Sequence, residues 1–348
     1  MRTTILAGGH WTTVGPAWRS LASGQPVRSF TRSAAWAEAR CQAAGTDAAR
    51  WIVVADDDGP LAVLPLEVRR RRWGPLGLRL LVNDRTSDGL VADRARPHRL
   101  RRAVLEAMAD RGEPVDALEL HGLPAGSGLA RLAAAGPHGL AAEARHGGHS
   151  VIDTRLPADA WAAGTGRNLR SALRKARNRF ERRGALEVTE ATAVDALDAA
   201  LDEFVAIESS GWKAASAALA SRPRQHAVMR RFLRAAPPGA ATVRTLRLDG
   251  RPAAAQITYQ AGDTLDLIKV AYDQELADLS PSNLLMADLV RSCCGRPDVA
   301  RIDLVTRQEW HRRWHATVRP TYRARDANLR RPGGLGLRGA AAVRRTGG

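Results

Sequence analysis

Between Leu186 and Tyr322 the residue pattern dictates one order of elements: strand, helix, helix, three strands, helix, strand, helix, strand. The central meander sets that order. Thr242–Leu248 and Pro252–Gln260 read as strands, and Asp249-Gly250 between them is a favoured two-residue hairpin turn. Gly262-Asp263 turns the chain into a third strand, Thr264–Tyr272 (TLDLIKVAY). A short loop then leads to a helix opening at Ser280-Pro281-Ser282-Asn283, with Ser280 as a capping residue and Pro281 suited to the first helical position. Ahead of the meander lies the strand Leu186–Thr189. Val194, Leu197, Leu201, Phe204 and Ile207 then keep helical spacing as far as about Ser209, after a Thr192/Asp195 capping box. A second helix covers Arg224–Ala235.

The first half follows a similar plan. Phe30–Ala44 reads as a helix with Trp36 on its apolar side, and Trp51–Ala55 as a strand ending in the Asp57-Asp58-Gly59 turn. Leu61–Val68 and Leu76–Val82 read as strands separated by the basic run Arg69–Arg72. Pro97–Arg111 is expected to be a helix, Ala117–Leu120 a strand, Gly128–Ala135 a short helix and Ser150–Asp153 a closing strand. A helix over Asn168–Arg183 bridges the halves. Leu169, Leu173, Ala176 and Phe180 form one face of it, and Arg170, Arg174, Lys175, Arg177, Arg179, Arg182 and Arg183 the other, with Gly184 as the stop. The expected organisation is a duplicated α/β unit: residues 1–160, a basic linking helix over 161–185, residues 186–328, and a flexible Gly/Arg-rich tail over 329–348.

A chain of 348 residues with 45% hydrophobic content has room for two domains, each with its own core. No apolar run approaches the roughly 20 residues of a membrane span. Met1–His10 lacks a charged stretch followed by a long apolar core, so no secretion signal is expected. Cys41, Cys293 and Cys294 make neither a disulfide framework nor a metal-ligand pattern, which points to a reducing cytoplasm and no metal. The net charge is +17, and arginine supplies nearly all of the positive residues. Such a surface attracts CoA phosphates, RNA, anionic lipid headgroups or acidic polysaccharide, and it also arises from arginine-rich composition alone. No P-loop, Rossmann glycine fingerprint or Ser-His-Asp motif is present.

Several short patterns carry a family resemblance. They are Leu64-Pro65-Leu66 before Arg69–Arg72, Ser87-Asp88 before Leu90, and the Arg/Lys helix ending at Gly184. In the second half they are Gly211-Trp212-Lys213, Ala271-Tyr272-Asp273, Ser280-Pro281 with Leu284-Leu285, and Ile302-Asp303-Leu304 followed by Glu309-Trp310 and Trp314. In that order, over roughly Pro26 to Tyr322, the chain resembles the cellulose-biosynthesis-associated branch of the GNAT acetyltransferase superfamily, which has two GNAT-like domains. It is also related to the Fem-type aminoacyl transferases. Two positions depart from the family pattern. Trp310-His311 stands where an aromatic-lysine pair is usual, and Leu279–Asn283 stands where a Gly-rich phosphate loop is usual.

The resemblance implies an α/β fold of tandem GNAT-like domains and transfer of an acyl group from acyl-CoA, acetyl-CoA first among donors. The acceptor is then an amine of a sugar, a glycan precursor or a specialised metabolite. Ser280, Pro281, Ser282 and Asn283 hold the donor on this reading, since a helix N-terminus binds phosphate; Ser-Pro also simply starts helices. Lys269 shares the strand side of Leu265, Leu267 and Ala271 if alternation is strict, and either serves an oxyanion or donor phosphate or keeps its head in water at a rim. Tyr272 is a thiolate-protonating candidate or a core tyrosine. Asp303, Glu309 and His311 are candidate general bases or ordinary surface polar groups. Trp212, Lys213, Asp88 and Gln256 are assigned to the acceptor; Trp212 is otherwise a core tryptophan and Asp88 a turn residue. Two rival readings stay open: an aminoacyl-tRNA-dependent, amide-forming transferase, which the +17 charge and the missing glycine loop favour, and a non-catalytic scaffold.

Overall fold

The structure, a computed structural model, describes residues 1–7, 10–23, 29–43, 49–73, 76–83, 89–124, 127, 130, 140–143, 147–210 and 218–335. Its contacts divide the chain into two discontinuous units. The first comprises Met1–Pro26, Arg40–Gly148 and Pro320–Gly348, and the second Val27–Ala39 and His149–Arg319. This differs from the continuous boundaries expected at residues 160, 185 and 328, because the last strand of each half pairs into the other half's sheet.

The first unit is built on β1 (Arg2–Ala7), β2 (Ala49–Asp56), β3 (Gly59–Trp73), β4 (Leu76–Asn83), the short β5 (Leu90–Val91), β6 (Ala117–Pro124) and β7 (Leu140–Glu143). The C-terminal β15 (Thr321–Ala327) joins them, giving the order β1-β2-β3-β4-β6-β15-β7 with β5 against β3. Helix α1 (Trp11–Ser23) buries Trp11, Val14, Trp18 and Leu21. Helix α2 (Ala34–Ala43) follows it in the chain, and α3 (Pro97–Asp110) buries Leu100, Val104 and Met108. These spacings are one helical face each. The basic run Arg69–Arg72 is no loop: β3 runs straight through it, with Arg69 opposite Leu80 and Arg71 opposite Leu78. The start of the expected tail is tied down, because Arg331 Nε lies 3.0 Å from Asp116 Oδ1.

The second unit carries β8 (His149–Asp153), β9 (Leu186–Ala191), β10 (Ala241–Leu248), β11 (Arg251–Ala261), β12 (Thr264–Tyr272), β13 (Arg301–Asp303) and β14 (Thr317–Arg319). Their order is β14-β8-β13-β12-β11-β10-β9. The strand expected to close the first half is thus β8, antiparallel to β13 and β14 of the second. The helices are α4 (Ala158–Gly164), α5 (Arg167–Arg183), α6 (Val194–Ser209), α7 (Pro223–Ala235) and α8 (Pro281–Cys293). Helix α5 is part of this unit's core rather than a linker. Leu169, Leu173, Ala176 and Phe180 pack with Leu285, Val290 and Trp314, and full burial of Phe180 alone contributes roughly 1.5–3 kcal/mol. Gly184 ends α5 with extended backbone; its Cα lies against the Asp249 carboxylate, where a Cβ would not fit. Helix α6 starts at Ala193 without the expected Thr192 capping bond. The hairpin turn is as read, with Asp249 at φ 49 and Gly250 at φ 79.

Asp88, Trp212 and Lys213 lie outside the described residues, as does nearly all of the expected 128–135 helix. No helix among the described residues is long and apolar enough to cross a membrane.

Candidate active site

The site is organised by β12. On one side it pairs antiparallel with β11, and the register slips so that Ile257 faces Lys269 while Thr258 faces Leu267. Ile268 is therefore an extra residue, a β-bulge that bends the strand and re-aims the residues after it. Strict alternation places Lys269 with Leu265 and Leu267; the bulge overturns that. Leu265 and Leu267, and after the bulge Val270 and Tyr272, pack on the α5–α8 core. Lys269 turns instead to α6, where its Nζ lies 2.9 Å from Glu208 Oε1. Glu208 is 3% exposed, and its other oxygen accepts the Leu219 N–H at 2.7 Å. A buried carboxylate held by both a cation and an amide is fixed in position.

On its other side β12 pairs parallel with β13 only over Thr264–Asp266. The remaining residues, Leu267–Tyr272, have no strand partner on that side among the described residues. Beside this opening is a cavity of ≈ 210 Å³ whose wall includes Glu208, Val270, Tyr272, Ser282, Asn283, Met286, Trp310 and Arg313. Of the residues singled out from sequence, the cavity brings together Tyr272, Ser282 and Asn283, with Lys269 behind Glu208. Glu208 and Arg313 are additions. Glu208 was legible in principle, since it continues the Leu201–Phe204 apolar spacing of α6 with a charged residue.

The start of α8 differs from the expected cap. Ser280 is left-handed (φ 55, ψ 48) and makes no side-chain capping bond. Its carbonyl instead accepts the Asn283 and Leu284 N–H groups at 3.1 and 3.3 Å. Pro281 has no N–H, so Ser282 carries the first-turn amide that Ser280 leaves unengaged. Arg313, which has no acidic partner among the described residues, adds a cation at the same wall.

The other candidates sit elsewhere. Asp303 Oδ2 is 3.2 Å from His149 Nδ1, and its Oδ1 accepts the Val305 N–H at 2.7 Å. It lies beside Asp266 in the parallel register. Asp266 is 1% exposed and accepts the Phe30 N–H at 2.5 Å; burial first, and then the charge of Asp303, push its carboxyl well above the usual carboxylate range. Glu309 is exposed and pairs with Arg312 at 2.8 Å. His311 is buried. Its Nδ1 accepts the Gln308 N–H at 3.3 Å and its ring bonds the Thr306 backbone, while burial lowers its pKa. The ring thus anchors the start of the Glu309–Trp314 turn. Gln256 is fully buried opposite Val270, and neither end of its amide has a partner among the described residues.

Comparison with known proteins agrees with this geometry. Residues 167–327 match the family described as Acetyltransferase (GNAT) domain. The fold is similar to that of FemX, at 13% identity over 94% of this chain and 98% of the other, with a TM-score of 0.59. It is similar also to a tandem GNAT protein from the clavulanic acid biosynthesis pathway, at 15% identity over 94% and 98% of the two chains, with a TM-score of 0.53. No curated protein sequence matches the chain. Residues 167–327 thus carry the match to the GNAT acetyltransferase domain, in a chain whose fold over its described length is similar to that of a tandem GNAT protein.

Proposed function

We propose that this protein is a cytoplasmic N-acyltransferase that moves an acyl group from acyl-CoA, acetyl-CoA first among donors, to an amine of a sugar, a glycan precursor or a specialised metabolite. A glycan acceptor would suit the cellulose-associated branch that the sequence resembles. The observation that carries the reading is the open edge of β12 beyond Asp266, with Glu208, Tyr272 and the first turn of α8 around one cavity. The first unit is read as a copy without chemistry of its own.

The donor supplies an acyl group activated as a thioester. Ser282, Asn283 and Arg313 are the groups available to its phosphates. Glu208, held by Lys269 and the Leu219 amide, accepts the proton lost by the acceptor amine as its nitrogen bonds to the acyl carbon. The Tyr272 hydroxyl gives a proton to sulfur as the carbon–sulfur bond breaks. Most of the acceleration then comes from positioning.

The test is thiol release from a panel of acyl-CoAs and amines, together with melting temperature in the presence of each donor. A ligand bound only by the folded state raises the Tm. One acyl-CoA should do so, and Ser282→Glu should abolish the shift. A protein indifferent to every acyl-CoA overturns the reading. One observation favours a second donor: Pro281 and the engaged Asn283 N–H leave a sparse phosphate cradle, while the chain carries a net charge of +17. Binding of bulk tRNA that weakens steeply with salt would shift the assignment to an aminoacyl-tRNA-dependent transfer.

A further inference from the structure

A second cavity of the GNAT unit lies away from the end of β12. It is a trough of ≈ 280 Å³ between α5 and α8. Its floor is apolar, from Leu173, Leu246 and Leu284 among others, and the Trp161 ring forms part of the wall. Arginines rim it from two helices: Arg174 and Arg177 on α5, and Arg291 in the last turn of α8. Arg174 and Arg291 have no acidic partner among the described residues. The nearest acid to Arg177 is Glu181, at 3.9 Å with both side chains exposed, which is a weak tie. Arg170 also reaches the trough, but its guanidinium is spent on the Ala163 and Thr165 carbonyls that end α4. The one carboxylate in the wall, Asp288, is held by the buried Arg244 at 2.6 Å and does not neutralise the rim.

Charges of one sign around a concave, low-dielectric wall concentrate their field, and a planar guanidinium fork matches phosphate oxygens. A solvated arginine face needs no such trough. Arg179 and Arg182 on the same helix line no part of this trough and are the internal comparison. The transfer chemistry uses none of these residues. We propose that the trough binds an amphiphilic anion, with a phosphate-type head on Arg174, Arg177 and Arg291 and a hydrocarbon chain along the apolar floor. The head and the floor together select the ligand: a bare phosphate leaves the floor wet, and an alcohol leaves the arginines unpaired.

The experiment is titration of the full chain with decyl phosphate below its micelle concentration, with inorganic phosphate and with decanol, read by tryptophan fluorescence. Decyl phosphate should bind at least about tenfold tighter than either half-ligand. The Arg174→Ala/Arg291→Ala double variant should lose about tenfold, and Arg179→Ala/Arg182→Ala less than about twofold, as expected for charge-assisted hydrogen bonds lost in one case only. Trp161→Phe should remove most of the fluorescence change while binding, measured by calorimetry, persists. Vesicles of phosphatidylglycerol distinguish the source of the head. Vesicle binding with the same arginine dependence assigns it to a membrane lipid, monomer binding alone to a soluble alkyl phosphate, and either supports the trough. Equal binding of inorganic phosphate, equal loss in the two double variants, or no binding of decyl phosphate overturns the proposal.

Discussion

The two units run through the same topology and differ where chemistry needs them to. In each, a strand and two helices precede a three-stranded meander, a helix follows, and the next strand lies parallel to the last of the meander. In the first copy these are β1, α1 and α2 (whose residues 34–39 belong to the second unit), β2-β3-β4, α3 and β6; in the second, β9, α6 and α7, β10-β11-β12, α8 and β13. Each sheet is then extended by a strand from across the other half's sequence, β15 in one and β8 in the other. The difference lies just past the parallel pairing. In the first unit the Asn83 side chain bonds both backbone groups of His121, at 2.9 and 2.7 Å, so β4 and β6 stay joined. In the second, β12 has no partner on its β13 side over Leu267–Tyr272 among the described residues, and its bulge turns Lys269 away from Leu265 and Leu267. The β3–β4 register has no such slip. Among the described residues, one copy thus joins the two strands through an asparagine and the other opens them beside a bulge.

The largest effect should come from breaking the open copy. Glu208→Gln and Tyr272→Phe are expected to lower kcat by about 10²–10⁴ and by roughly 10² respectively, the range for a lost proton-transfer group, with the fold intact by circular dichroism. Asn83→Ala in the closed copy should leave kcat within about twofold, while removing a partner from buried backbone groups costs about 1–3 kcal/mol of stability. An Asn83→Ala enzyme as impaired as Tyr272→Phe at unchanged stability would mean that both splits are functional, and the contrast would fall.

Where sequence reading succeeded and failed has a physical pattern. The meander with its Asp249-Gly250 turn, the apolar face of α5 and the Pro281 start of α8 depend on neighbours in sequence, and all were legible. Helix α1 was missed because Gly15-Pro16 interrupts its pattern, although Trp11 and Trp18 are core residues. The bulge at Ile268 has no local signal, since it is a mismatch between two strands; the side assigned to Lys269 inverted with it. The exchange of β8 and β15 depends on partners more than 100 residues away and leaves no local mark. The burial of His311 and the Gln308 N–H on its Nδ1 are likewise visible only in the fold.

A second contrast concerns two buried carboxylates, one per unit, shifted in opposite directions. Glu119 is held by His121 at 3.0 Å, by Arg325 at 2.6 Å and by Arg323, and these partners keep its pKa far below the usual range. A folded pKa below the unfolded one gives stability that is present above the ordinary Glu value and lost as pH falls through and below it. Asp266 is the reverse. Burial raises its folded pKa, so its cost is absent at low pH and appears as pH rises past the ordinary Asp value. Glu119→Gln should therefore cost about 1.5–3 kcal/mol at pH 7, the range for losing hydrogen bonds to a charged group, because the part-exposed arginines lose their counter-charge. That cost should shrink in acid. Asp266→Asn keeps an acceptor for the Phe30 N–H and removes the buried ionisation, so it should raise the Tm at pH 7, by roughly 2–4 °C for each kcal/mol relieved, and do little near pH 4. Melting curves of both variants across that range check the signs. Parallel pH profiles for the two would erase the contrast.

The smallest effect concerns how the two crossover helices begin. Both place proline at the first helical position. Before Pro97, Arg96 is extended (φ −87, ψ 108); before Pro281, Ser280 is left-handed (φ 55, ψ 48). A left-handed backbone costs an L-residue roughly 1–2 kcal/mol, and a following proline favours extended conformations instead. The Ala277 carbonyl, which accepts the Ser280 N–H at 3.0 Å, and the Ser280 carbonyl, which accepts two N–H groups of α8, hold Ser280 in place. The strain therefore sits two residues before Ser282 of the cavity wall, in the copy with the open split. Ser280→Gly relieves it but gives the unfolded chain more freedom, so the net gain should be small, about 0.5–1 kcal/mol. Arg96→Gly relieves nothing and should lower stability by a few tenths of a kcal/mol to about 1. Opposite signs for the two glycines in denaturant melts would show that the strain belongs to the donor end of β12. The same sign for both would mean that Ser280 is not held left-handed in solution, and that the helix starts do not distinguish the two copies.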